Sequence, residues 1–267
     1  MASQDLDFTY GGAADRRKRI VGIVQERGFS TVAELSGALR VSEMTVRRDL
    51  RRLDDEGLLR SVHGGASAPI TGPIGDFGLR SRRQIGVKLD VARRAAAMVE
   101  PNAVIALDAG TTLREVAAAL PSELTATVVT HSLPVMAALA NHKQIQLIGL
   151  GGLFHIETQA FAGPSALNEL RQFRLQTVYL GASSIHDGAL YCGNPLDAEM
   201  KAALIDRSDR VVLVSDASKF QITGLQPVAP LTSIHAIVVD QLEDADREML
   251  AAADVEVIEV LTGGVPA

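Results

Sequence analysis

Tryptophan is absent from the 267 residues, cysteine occurs once, at Cys192, and aromatic residues make up only 4%. A single cysteine cannot close an internal disulfide, which fits a reducing compartment. His63, His131, His142, His155, His186 and His235 show no metal-ligand spacing, so no metal is expected. No uninterrupted apolar run approaches the roughly 18–20 residues that a membrane-spanning helix needs. The N-terminal MASQDLDFTYGGAADRRKR has no apolar stretch of signal-peptide length, so a cytoplasmic location without a membrane partner is expected. The phosphate loop G-x-x-x-x-G-K-[ST] is missing. Gly149-Leu150-Gly151 opens a dinucleotide-type pattern, but Phe154 stands where its third glycine belongs. Gly181-Ala182-Ser183-Ser184-Ile185 fails as a nucleophile elbow because Ile185 replaces the closing glycine. These absences leave no expected catalytic residue and no expected cofactor.

What remains is a chain with 47% hydrophobic and 22% charged residues, ordinary for a globular protein and long enough for two domains of unequal size. Its net charge of -6 is unevenly spread. Residues 1–100 carry 17 Lys and Arg against 13 Asp and Glu, whereas residues 101–267 carry 9 against 19. Such asymmetry suggests a basic module that meets a polyanion, joined to an acidic module with another task.

The basic module is concentrated. Arg47, Arg48, Arg51, Arg52 and Arg60 fall within one short stretch. Upstream, RRKRIVGIVQER (16–27) places Ile20, Ile23 and Val24 at helical spacing, with Gly28 as a stop. TVAELSGAL makes a second short helix, and Ser42 is suited to cap a third that runs to about Glu56 and stops at Gly57. On a wheel at about 100° per residue, Val46, Leu50 and Leu53 gather on one side, and Arg48, Arg51 and Arg52 lie about 160° away. Arg47 sits at the edge of the arginine face, with Met44 and Thr45 near its leading end. Two short helices joined by a tight turn, the second basic, form a helix-turn-helix whose leading residues suit a major groove. Arginines there suit guanine edges and phosphates alike, although a charged face is more commonly only solvated. Leu58–His63 with Gly64-Gly65 reads as a small β-wing.

These residues resemble the N-terminal winged helix-turn-helix of the DeoR family of bacterial transcriptional regulators. The likeness rests on Glu34-Leu35, Val41-Ser42, Thr45-Val46-Arg47-Arg48-Asp49-Leu50, Leu53, Gly57, Arg60 and His63-Gly64-Gly65. It implies operator binding through Ser42, Met44, Thr45, Arg47, Arg48, Arg51 and Arg52, with Arg60 and His63 on the wing.

Residues 67–87 are rich in Gly and Pro and read as a linker, with Arg80, Arg82 and Arg83 either near phosphate or simply solvated. Beyond Lys88 the pattern alternates between helices and apolar strands: AVIALD (103–108), ATVVTH (126–131), IQLIGL (145–150), TVYLGA (177–182), RVVLVSD (210–216) and AIVVD (236–240). Near-continuous apolar strands separated by helices predict an α/β domain around a mainly parallel sheet. Ligands of such folds sit beyond the carboxyl ends of the strands. There the chain places Asp108-Ala-Gly110-Thr111-Thr112, Thr130-His131, Gly151-Gly152 and Ser215-Asp216, with Lys219 three residues later. Gly110 permits a tight turn, and the hydroxyls and first-turn amides can hold an anion. An ordinary capped strand–turn–helix is an equal reading of the same residues.

The family resemblance extends through these segments, with Gly163-Pro164, Asp197–Lys201 and Asp216–Phe220 in matching order. It implies a fold similar to ribose-5-phosphate isomerase that binds a phosphorylated sugar. It assigns the Asp108–Thr112 loop to phosphate or hydroxyl contact and makes Lys201 and Lys219 candidate cationic partners, Lys201 being otherwise an exposed helical lysine. His131 stands where the family commonly has Asn, as a ligand donor or a structural residue, with a charge that could follow pH. The expected organisation is therefore a winged helix-turn-helix at 14–66, a linker at 67–87 and an effector domain at 88–267. The expected function is an oligomeric repressor, a dimer or tetramer, of a carbohydrate operon. A sugar-phosphate isomerase carrying a DNA-binding appendage is the rival, with Asp108, Glu199 and Lys219 as its acid–base set.

Overall fold

The computed structural model describes residues 12–27, 29–55, 58–62, 64–67 and 77–261. The chain divides into two compact units, residues 1–75 and 76–267.

In the first unit, α1 (Ala13–Arg27) precedes a short strand, β1 (Phe29–Thr31), then α2 (Val32–Leu39), α3 (Glu43–Asp55), β2 (Arg60–Val62) and β3 (Gly65–Ser67). Thr31 starts α2 through a reciprocal capping box: Glu34 N–H donates to Thr31 Oγ1 at 3.2 Å, and Thr31 N–H donates to Glu34 Oε2 at 2.8 Å. Arg40, left-handed at φ 51°, turns the chain out of α2. Ser42 caps α3 as expected, its Oγ accepting the Thr45 N–H at 3.2 Å. The strands pair antiparallel in the order β1–β3–β2, so β1, absent from the sequence expectation, becomes the third strand of the wing sheet. Gly65 is required in β3, because a Cβ there would lie 2.3 Å from the Ser30 carbonyl oxygen. Ile20, Val24, Leu35, Val46, Leu50, Leu53 and Leu59 close the core beneath. The expected stops at Gly28 and Gly57 lie outside the described residues.

The second unit opens with α4 (Phe77–Arg82) and α5 (Ile85–Ala96), so the expected linker contains a helix, and α5 starts before Lys88. The chain then runs β4 (Val104–Leu107), α6 (Thr111–Ala119), β5 (Ala126–Thr130), α7 (Leu133–Leu139), β6 (Ile145–Gly149), β7 (Leu153–His155), β8 (Ala160–Ala162), α8 (Pro164–Leu170) and β9 (Leu175–Leu180). It continues through β10 (Ser184–His186), β11 (Ala189–Cys192), α9 (Pro195–Asp206), β12 (Ser208–Val214), β13 (Gln226–Pro230), β14 (Ala236–Val239), α10 (Asp244–Ala252) and β15 (Glu256–Glu259).

Seven strands form one sheet in the order β15–β14–β12–β9–β4–β5–β6, with every pair parallel. Ile105 and Leu107 of β4 face one apolar core with residues of α5, α6 and α7, while Ala106 faces the other with residues of α8, α9 and α10. Burial on both faces explains the unbroken apolar strands. All six expected strands are present. Because each helix that follows a strand returns antiparallel to it, its first turn lies at the carboxyl edge of the sheet. Among the described residues, no helix is long and apolar enough to cross a membrane.

Candidate functional site

In the first unit the site is one face of α3. Val46, Leu50 and Leu53 are buried, whereas Met44, Arg47, Arg48, Arg51 and Arg52 are exposed, as the wheel requires. Thr45, at the leading end, is half-buried, and Ser42 Oγ lies 3.0 Å from its Oγ1. Arg47 pairs with Glu43 one turn earlier at 3.1 Å, an exposed contact of little energy. Asp49, by contrast, is only 4% exposed and is held by Arg16 at 2.6 Å and Arg17 at 3.7 Å from α1. This clamp fixes α3 on its scaffold. Sequence spacing carries no sign of it, because the partners lie more than thirty residues apart. Arg60 opens β2, and His63 lies outside the described residues.

In the second unit, Asp108 directly follows β4 and is fully buried. Its Oδ2 accepts the Gly181 N–H at 3.0 Å and a hydrogen bond from the Lys201 ammonium, which also lies 3.5 Å from Asp197 Oδ1. Lys201 is 3% exposed, which overturns its reading as an exposed helical lysine. Burial works to lower the Lys201 pKa, but the Asp108 and Asp197 carboxylates overcome it and hold the ammonium charged well above the usual lysine range. His131 lies beside the pair, with Nε2 3.7 Å from Asp108 Oδ1, too far for a hydrogen bond. Its Nδ1 and Asp108 Oδ1 have no hydrogen-bond partner among the described residues. Burial pushes the His131 pKa down, so the imidazole is neutral near pH 7, against the expectation of a charge that follows pH. A small cavity of about 10 Å³, room for about one water molecule, lies here, lined in part by His131, His155, Thr158, Asn194 and Asp197.

Asp108, His131 and Asp197 offer ligand atoms within 4.8 Å of one another, a spacing a metal ion could use. The Lys201 ammonium already supplies the positive charge between the two carboxylates, so a divalent ion would add repulsion. The same ion pair leaves Asp108 poorly suited as a general base.

Gly110 precedes α6 at φ +149°, with no side chain capping the first turn, and Thr111 and Thr112 are buried beside it. At the end of β12, Lys219 Nζ stands 4.0 Å from Asp216 Oδ2. Burial is the main cause that lowers the Lys219 pKa, opposed by Asp216. Gly151 and Gly152 make different contacts. The Gly151 N–H donates to Glu169 at 3.2 Å, and a Cβ on Gly152 would meet the Ala162 carbonyl at 2.7 Å, so the glycine there serves packing. Asp197 and the buried Lys88 were not singled out as site residues from sequence, although Asp197 opens one of the segments that carry the family resemblance.

Two family models match the chain: a DeoR-like helix-turn-helix domain over residues 16–71 and a DeoR C-terminal sensor domain over residues 83–241. The chain is 33% identical over 250 residues to the HTH-type transcriptional regulator GlpR of Haloferax volcanii, covering 92% of this chain and 97% of that one. It is 33% identical over 229 residues to the L-fucose operon activator of Haemophilus influenzae, covering 85% and 91%. Among solved structures, ribose 5-phosphate isomerase A of Methanocaldococcus jannaschii aligns with 49% of this chain and 52% of its own, at 19% identity and a TM-score of 0.37, a likeness too distant to bear on function. A winged helix-turn-helix joined to a sensor domain defines a DNA-binding transcriptional regulator and not an enzyme. The chain belongs to the DeoR family.

Proposed function

We propose that the chain represses a carbohydrate-utilisation operon by binding its operator sequence-specifically, and that a phosphorylated sugar releases it. The exposed α3 face, with Ser42, Met44, Thr45, Arg47, Arg48, Arg51 and Arg52, enters the major groove, and the wing with Arg60 and His63 meets the backbone. An oligomer, a dimer or tetramer, reads a repeated operator in the cytoplasm. The sugar phosphate sits at the carboxyl edge of the seven-stranded sheet. Asp108, His131 and Lys201 line its polar end, and Gly110, Thr111, Thr112 and Lys219 take the phosphate, with Gly151 and Gly152 shaping the edge. The names of relatives such as the L-fucose operon activator and the glycerol-3-phosphate regulon repressor of Haemophilus influenzae support a sugar-linked role.

The observation that carries the DNA half is the opposition on α3: a buried, clamped underside at Asp49 and an arginine face turned to solvent. Release needs a coupling of only about 1–3 kcal/mol between the two sites. The experiment is a selection of bound genomic fragments, followed by gel shifts with Arg48→Ala and Arg51→Ala and with a panel of sugar phosphates. Each substitution should weaken binding and flatten its salt dependence by about 0.9 in log–log slope for each phosphate that is no longer neutralised. Unchanged affinity in both variants moves the reading face elsewhere. A panel without any effect on the wild-type complex removes the sugar phosphate.

A further inference from the structure

Lys88 lies in the first turn of α5 and is 2% exposed, yet its Nζ faces no carboxylate at salt-bridge distance among the described residues. Instead it donates to the backbone carbonyl of Arg80 in α4. Lys219, Arg80 and Arg83 lie close enough to repel it, and Asp216, beside Lys219, is the acid that opposes them. Burial first, and then Lys219, push the Lys88 pKa down to about 8. Burying the Lys88 and Lys219 ammoniums near one another is costly unless negative charge is supplied between them.

The topology says where that charge belongs. The α5 helix leads into β4 and α6 leaves it, and the two helices pack side by side, so both first turns lie at the carboxyl edge of the sheet. Asp216 follows β12 on the same edge. Lys88 and Lys219 thus belong with the uncapped first turn of α6 at Gly110–Thr112, whose amides favour an anion. The α4 helix packs on α6 as well. Besides Lys88, it is tied to the turn between β7 and β8: Phe77 N–H donates to the Glu157 carbonyl at 3.0 Å, and the Arg80 guanidinium reaches the same oxygen at 3.5 Å.

We propose that Lys88 is the second cation of the phosphate subsite, and that an anion held there by Lys88 and Lys219 draws Lys88 off the Arg80 carbonyl and loosens α4. This rests on the effector reading above, and it adds a residue and a consequence. One ammonium serves two acceptors in turn, a backbone oxygen that holds α4 and a phosphate oxygen that binds more strongly because it is charged. Since α4 is the first described element of its unit, the event falls where the chain arrives from the DNA-binding unit.

The test titrates inorganic phosphate into the full chain by calorimetry and follows amide hydrogen exchange of residues 77–82. Lys88→Met and Lys219→Met should each weaken phosphate binding about tenfold or more, the loss of one charged hydrogen bond. Lys88→Arg should bind within a few-fold of wild type, which guards against a variant that simply folds badly. Phosphate should speed exchange across 77–82 in the wild type. In Lys88→Met, exchange should be fast from the start and indifferent to phosphate. Wild-type binding by Lys88→Met, with loss in Lys219→Met and in the Thr111→Ala, Thr112→Ala double variant, overturns the role of Lys88 and leaves the pocket standing. Binding without any change in 77–82 overturns the displacement. Absence of saturable binding by the wild type overturns the pocket itself.

Discussion

Replacing Lys201 by methionine keeps the length of the side chain and removes the ammonium that neutralises Asp108. Asp108 is fully buried and Lys201 is 3% exposed, so water cannot substitute for the missing partner. The carboxylate would keep one hydrogen bond, from Gly181 N–H at 3.0 Å. Breaking a buried ion pair from one side costs about 3–5 kcal/mol. At about 2–4 °C per kcal/mol for a unit of this size, the melting midpoint of the larger unit should fall by about 6–20 °C. Thermal denaturation followed by far-UV circular dichroism at pH 7 measures it. The double variant Asp108→Asn, Lys201→Met should melt well above Lys201→Met alone, because no charge is then stranded. The sign with pH is fixed by the raised Lys201 pKa. The contribution of the pair is fully present below the ordinary lysine value of 10.5 and is lost as pH climbs through the higher folded-state value. A midpoint lowered by less than 2 °C, or strictly additive single and double variants, would refute a tightly coupled buried pair.

Asp49→Ala should destabilise the DNA-binding unit by about 1–3 kcal/mol, since it leaves Arg16 and Arg17 without the carboxylate that docks α3 on α1. Urea unfolding reads the loss, and an unchanged midpoint would discard the clamp. The lowered pKa of Lys88, about 8 against 10.5, puts its cost in full below pH 8 and relieves it between those values. Wild type should therefore gain stability on Lys88→Met as pH rises from 8 to 10.5, and a constant difference would contradict this. Because burial keeps His131 neutral, the imidazole should add nothing to the pH dependence of effector affinity above pH 7, so wild type and His131→Asn should give the same profile there; a His131→Asn variant that removes a pH dependence in that range would show otherwise. Thr111→Ala with Thr112→Ala should abolish effector release while operator binding persists, and normal release in that variant places the phosphate elsewhere.

Much of the fold was legible because periodicity reports burial. The α3 wheel and the six apolar strands each carry their environment in their own spacing. The missed elements lack that signature. Glu256–Glu259 is an edge strand with only two apolar residues between its terminal acids, and Phe29–Thr31 owes its pairing to Gly65, far away in sequence. The Asp108–Thr112 turn and Lys219 could be named because strand ends announce themselves. The partner of Asp108 could be named only as a candidate, since Lys201 is reached across ninety-three positions of sequence. Lys88 looked like the start of a helix and nothing more, because burial of a lysine is set by what packs over it.

The clamp at Asp49 also shapes the electric field of the smaller unit. An acidic side chain in the middle of Arg47-Arg48-Asp49-Leu50-Arg51 would, if exposed, cancel part of the potential that a polyanion meets. Turned inward, it spends its charge on Arg16 and Arg17 and offsets one of those two positive charges rather than one on the α3 face. The charge a nucleic acid meets on this module is thus smaller in total than a count of arginines suggests, and more sharply localised. Attraction to DNA should therefore follow the α3 arginine face, undiluted by the acid in its midst.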